Sequence, residues 1–444
     1  MRWCRSSAVR ARVAVTGVVM GTLTALTPAS APADTQGSTY ADTYSDADAR
    51  AYAFAADARP VPGAPGTTDA ALLEPGGTYR STLPADGAAY YRLDLDTEST
   101  AYVSATAVPD PAATVSASDG IKVSVQDTDS RSCSYDSATV GASRSPRPIT
   151  AWGTREAGKA RCEGSGTYYV VVERTGATAG PASEPWELEL TVATEPRTAR
   201  TGATSAPKGW DSASPAPPGD EPERRPGGSG FDTATAVGQG VWTADVEPGR
   251  TLFYEVPVDW GQQLYATAEL GSASGTDGTG HDFTAAALNL SLHNPVRALV
   301  EDAGTGYDGR QQSASLDPLP PVDYANRYAP TDRVRGLRFA GSYYLVVHLA
   351  ARVAEKVGPG PYGLTLRVRV KGDARNGPLY AGRSVPAGLF EITDGERQAS
   401  AGGTGGGGGA MTAVAVGGLG AGTAILAGLA VWVARARRSG AGGL

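Results

Sequence analysis

Along residues 186 to 192, Trp186, Leu188, Leu190 and Val192 alternate with Glu187, Glu189 and Thr191; along 362 to 368, Tyr362, Leu364, Leu366 and Val368 do the same. Period-two alternation places one face of an extended strand in a core and the other in water. Two further stretches read the same way: GTYYVVV at 166–172 and GSYYLVV at 341–347. Tyr168, Val170 and Val172 share one face of the first, and Tyr343, Leu345 and Val347 share one face of the second. The opposite faces end in Glu173 and His348, so the first set is expected to point into a core and the second outward.

These pairs belong to a longer self-match. With a constant offset of 163, residues 68–105 align on 231–268, pairing Asp69 with Asp232, Gly77 with Gly240, Tyr91 with Tyr254 and Asp96 with Asp259. IKVSVQDTDSR (121–131) then pairs with LNLSLHNPVRA (288–298), and the order of blocks is preserved throughout. One unit is present twice. Short Val-, Tyr-, Leu- and Thr-rich strands divided by Gly, Pro and Asp turns predict an all-β chain: two antiparallel, jelly-roll-like β-sandwiches in tandem. No long 3.6-residue periodicity occurs between 68 and 370, so little helix is expected there.

The remaining stretches set the expected boundaries. Residues 1–33 carry a basic start, a 14-residue apolar run and small residues before Ala33, the pattern of a cleaved secretory signal. Residues 34–66 are Ala-, Asp- and Pro-rich and are expected to be disordered. The sandwiches are expected at 67–194 and 231–371, with a Pro/Gly/Ser-rich linker at 195–230. A Gly-rich stalk is expected at 372–409. MTAVAVGGLGAGTAILAGLAVWV (411–433) is free of charge and long enough to span a bilayer of about 30 Å. Arg435, Arg437 and Arg438 follow it, which places the tail at 435–444 in the cytoplasm and the body outside. The expected location is therefore the plasma membrane, single-pass. Gly418 and Gly422 form a G-x-x-x-G within the span, a spacing that permits two helices to pack as a homodimer.

Composition narrows the chemistry. Five Lys against thirty-four Arg, with 58 Gly, is the usage of a GC-rich genome such as an actinobacterial one. Without the four Arg of the signal and the three of the tail, 32 basic residues face 46 acidic ones, a formal charge near −14. Such acidity argues against nucleic-acid partners, whose binding needs Lys/Arg clusters. Once the signal and Cys4 are removed, Cys133 and Cys162 remain. An even pair in an oxidising compartment reads most simply as a disulfide. The self-match lays Cys133 on Val300 and Cys162 on Leu337, both apolar, so each pair of positions is expected to meet inside its sandwich.

Catalytic signatures are missing: HExxH, the G-x-S-x-G elbow and the P-loop do not occur. His281, His293 and His348 read as polar positions rather than a triad. Asp127 and Asp129 in QDTDS, and Asp277 with Asp282 in DGTGHD, are the candidates for calcium, which needs clustered oxygens on a turn. Neither pair recurs in the other copy, and solvated loop acids are the simpler reading. The recurring Asp96 and Asp259 fit turns, where Asp accepts backbone N–H bonds.

The second copy, with FDTATAV (231–237), EPG (247–249), FYEV (253–256), GSYYLVV and PYGLTLRV (361–368), resembles the bacterial pre-peptidase C-terminal domain, and the first copy resembles it more loosely. The resemblance covers about 60% of the chain. It implies a β-sandwich and a binding or accessory role, sometimes with calcium, and no catalysis of its own. The sequence thus predicts a non-enzymatic, membrane-anchored module for a cell-envelope or secreted partner, protein or glycan. The alternative is a protease-associated accessory subunit or a cryptic hydrolase.

Overall fold

The computed structural model describes residues 52–176, 183–200, 202–273 and 282–401, with backbone alone for 399–401. The first sandwich runs β1 (Arg59–Pro60), β2 (Ala71–Leu72), β3 (Thr78–Leu83), β4 (Ala88–Leu95), β5 (Ser99–Val108), β6 (Gly120–Gln126), β7 (Ser132–Thr139), β8 (Ile149–Arg155), β9 (Gly166–Thr175) and β10 (Trp186–Pro196). Its two sheets have the orders β1-β3-β10-β5-β8 and β2-β4-β9-β6-β7.

The second runs β11 (Glu223–Arg224), β12 (Thr235–Ala236), β13 (Gly240–Val246), β14 (Thr251–Val258), β15 (Gln263–Leu270), β16 (Thr284–His293), β17 (Leu299–Tyr307), β18 (Gln312–Ser315), β19 (Gly341–Leu349) and β20 (Tyr362–Lys371). Its orders, β11-β13-β20-β15-β18 and β12-β14-β19-β16-β17, repeat the first pair strand for strand. The duplication extends to register: Tyr91 stands opposite Val170 in one copy, and Tyr254 opposite Leu345 in the other. Among the described residues, helix is confined to α1 (Asp332–Arg335), α2 (Val353–Lys356), α3 (Asp394–Ala401) and a 3₁₀ turn at Tyr324–Tyr328.

Tyr168, Val170, Val172, Tyr343, Leu345 and Val347 are all buried, each triplet inside its own sandwich. Burying a phenol requires a partner for its hydroxyl. Both copies solve this alike: Tyr168 donates to the Gly164 carbonyl at 2.6 Å and Tyr343 to that of Phe339 at 2.8 Å, four residues upstream in each case. Cys133 and Cys162 form a disulfide with Cα atoms 5.7 Å apart. Their counterparts Val300 and Leu337 are buried in the second core. Asp96 accepts the N–H groups of Glu98 and Ser99, as a turn aspartate does.

The outward faces depart from expectation. Val346 and His348 are buried, as is Glu189 on the face of β10 expected to meet water, and Glu195, the first residue of the expected linker, is buried too. The cause is the other sandwich. Tyr102, Ala193, Val296, Phe339 and Phe390 form one cluster across the junction, and Tyr52, Phe231, Phe253 and Val346 form another. Alternation marks the more polar face of a strand but carries no record of what later covers it.

Three stretches expected to be loose are packed. Of 34–66, the described part begins at Tyr52, whose hydroxyl donates to Glu189 at 2.9 Å while its ring meets Phe253 edge-on. The linker lies extended along the second sandwich, where its carbonyls at Asp211, Ala216 and Pro218 accept from Gln263, Arg369 and Arg367. Proline-rich chain cannot fold its carbonyls into helix, so they are free to accept side-chain donors. Of the stalk, residues 372–398 return to the first sandwich: Thr194 and Val385 exchange backbone bonds of 2.7 and 3.1 Å, and Phe390 and Ile392 are buried. The signal segment, Asp277, His281, and the apolar span with Gly418 and Gly422 lie outside the described residues. Among those described, no helix is long and apolar enough to cross a membrane.

Candidate functional site

Where the sandwiches meet, they leave a groove of about 950 Å³. One wall is β7 and β8, the end strands of the first copy's two sheets. An end strand presents unpaired N–H groups. Here β7 covers β8: Ser134 Oγ accepts the N–H of Thr154 at 2.6 Å, and Asp136 accepts that of Trp152 at 3.3 Å. Burial pushes the Asp136 carboxyl above its ordinary range, and the nearby Asp332 adds to the effect.

The other wall is the start of β17, the turn ending at Tyr328, and α1. Its position follows from chain length. Between β8 and β9 the first copy has ten residues (156–165), whereas between β18 and β19 the second has 25 (316–340). The extra chain builds the wall, anchored by Asn326, whose amide donates to the carbonyls of Pro321 and Leu337.

Aromatic groups line both sides. Tyr135 is 70% exposed on one wall and Tyr328 48% on the other, with Leu299 beside them. These are three of the eight large apolar side chains exposed among the described residues. Beneath them Arg338 sits among Tyr102, Trp152 and Phe339, its guanidinium 5.1 to 5.8 Å from each ring, and reaches Glu156 at 3.4 Å. Arg333 pairs with Glu301, and Arg335 with Asp332. The rim is thus charged of both signs and the exposed platforms are apolar.

Of the two described histidines, His293 lines a cavity that adjoins the groove and His348 lines neither space. His348 meets Thr251 and Ser145, at 2.9 and 3.0 Å, and His293 meets Ser291 and the Arg297 carbonyl. Burial drives their pKa values down to about 3 and about 4. Ser145, although bonded to a histidine, is fully buried and out of reach of any substrate. The calcium candidates are also apart. Asp127 Oδ1 accepts the N–H groups of Asp129 and Arg131, and Asp282 pairs with Lys356 at 2.8 Å. Among the described residues no three His, Cys, Asp or Glu side chains gather as a metal site.

Comparison adds little to this geometry. No protein-family model matches the chain, and no curated protein matches it in sequence. Similar solved structures include the CUB1-EGF-CUB2 region of human MASP-1/3, at 7% identity and TM-score 0.16, over 66% of this chain and 99% of that one. The tandem CBM22 domains of Paenibacillus barcinonensis Xyn10C align at 9% identity and TM-score 0.18, over 66% and 85%. Tripeptidyl peptidase 2 aligns at 10% and 0.20, over 67% and 24%. At such scores none superposes on the chain as a whole, and the description of two sandwiches rests on their own sheets.

Proposed function

We propose that this chain is a non-catalytic binding protein of the cell envelope, and that its inter-sandwich groove receives a glycan chain. The observation that carries this reading is the pair of exposed rings, Tyr135 and Tyr328, on facing walls of an open groove with a charged rim. Amphipathic rings offer an apolar face beside a polar tip, which suits ligands that combine apolar and hydroxylated surfaces. An accessory role agrees with the resemblance of the strand motifs to pre-peptidase C-terminal domains. The leader at 1–33 and the apolar span at 411–433 would hold the body outside the membrane.

The test is retention of the full chain by insoluble cell-wall polysaccharide, compared with its Y135A/Y328A variant. Both side chains are exposed, so their loss should leave folding intact. We expect binding by the parent and a loss of roughly tenfold or more in the variant, since each stacked ring contributes on the order of 1 kcal/mol. No retention of the parent, or equal retention of both, sinks the reading.

A further inference from the structure

Arg147 differs from the other arginines of the junction. Arg297, Arg327 and Arg338 each sit against a carboxylate, from Glu189, Glu195 and Glu156 respectively. Among the described residues, Arg147 has no carboxylate at ion-pair distance; its one hydrogen bond there is a long one, 3.4 Å, to the Val140 carbonyl, and its Nε is buried without a partner. Asp302, whose charge acts on it, is exposed. Arg147 is only partly withdrawn from water, and even partial withdrawal of a cation is unfavourable unless a counter-charge compensates.

The guanidinium lines a cavity of about 260 Å³ between the sandwiches. Ser137, Thr139, Thr150 and Asn289 share its walls with His293, Phe231 and Phe253, and Asp302 stands among them. Ser137, Thr150, Leu299 and Asp302 also line the groove, so the cavity adjoins it. A second cavity of about 230 Å³ also borders Arg147, but its walls carry two carboxylates, Asp110 and Glu187, against the single Asp302 of the first, and so suit an anion less. The arginine is set between Pro146 and Pro148. One proline fixes its own φ and the next restricts Arg147 to extended backbone, so little freedom is lost when a ligand is gripped.

We propose that this cavity, a chamber adjoining the groove, binds a small oxyanion, a carboxylate or a phosphate, carried as the charged end of the ligand in the groove. Guanidinium groups match both oxyanions in planar, two-bond geometry. The identity of the carrier rests on the glycan reading above; the anion site itself does not.

The experiment follows the melting temperature of the full chain at constant ionic strength with sodium D-glucuronate, inorganic phosphate, sodium chloride or glucose. A rise of about 2 °C at ten times Kd is expected for one or both oxyanions and for neither control. A response to glucuronate alone assigns the site to a uronic acid, and to phosphate alone assigns it to a phosphorylated ligand. Arg147→Met should abolish the rise while melting, without added oxyanion, no lower than the parent, because it removes an uncompensated charge. Absence of any rise beyond chloride, or an equal rise in the variant, overturns the proposal. Y135A/Y328A, outside the chamber, should keep the small-anion response while losing polysaccharide, so failures of the two readings are separable.

Discussion

The Nε2 of His348, in the second sandwich, lies 3.0 Å from the Oγ of Ser145 in the first. This contact and the burial of His293 make the junction sensitive to acid. In the folded chain both rings stay neutral down to about pH 3 and about pH 4. Unfolding returns them to an ordinary pKa near 6.5. Below about pH 6.5 the unfolded chain therefore binds protons that the folded chain does not, and stability falls as pH falls, by up to about 1.4 kcal/mol per unit for each histidine. Above that pH the two contribute no slope. Urea midpoints at pH 7.5, 6 and 5 should decline in that order, and His348→Gln with His293→Gln should flatten the decline. A parent midpoint independent of pH over this range would falsify the assignment.

Glu189 collects Arg297, the Tyr52 hydroxyl and the N–H of Ala55. Arg297→Ala strands a fully buried carboxylate and should cost about 3 to 5 kcal/mol. The double variant Arg297→Met, Glu189→Gln should cost less than the sum of its single changes. Chemical denaturation checks both statements, and strict additivity would show that the two side chains do not act as a pair.

Cys133–Cys162 closes a loop of 29 residues. Replacing both by serine should cost about 3 to 4 kcal/mol in the chain-entropy picture. The duplication makes a second prediction: Val300→Cys with Leu337→Cys should oxidise to a disulfide in the second sandwich. Thiol titration after air oxidation reads the outcome directly. Two persistently free thiols would show that the copies have drifted apart there.

The duplicated core was legible because Leu188 and Leu190, or Tyr343 and Leu345, obey a local rule that only an extended strand satisfies. The junction was not. Glu189 looks like any water-facing strand glutamate until Arg297, 108 residues later, is brought against it. Tyr135 and Tyr328 gave no signal either, because the groove forms only when two copies dock and because one wall comes from chain that the first copy lacks. The hydrogen-bonded linker was missed for a related reason: Ala216 and Pro218 offer only backbone carbonyls, and composition does not reveal who will donate to them.

Residues 372–398 leave the second sandwich, pair with the first at Thr194–Val385, and seat Phe390 in the junction between Tyr102 of the first and Phe339 of the second. In mechanical terms this is a strain relief. Tension applied to the chain beyond α3 would first load the Arg397–Asp259 pair that holds α3 to the second sandwich, then the contacts around Phe390 and the Val385 bridge, and reach β20 only after those had peeled away. The bodies would be pulled as a joined pair, with the groove between them kept in shape at forces that would otherwise unzip a terminal strand.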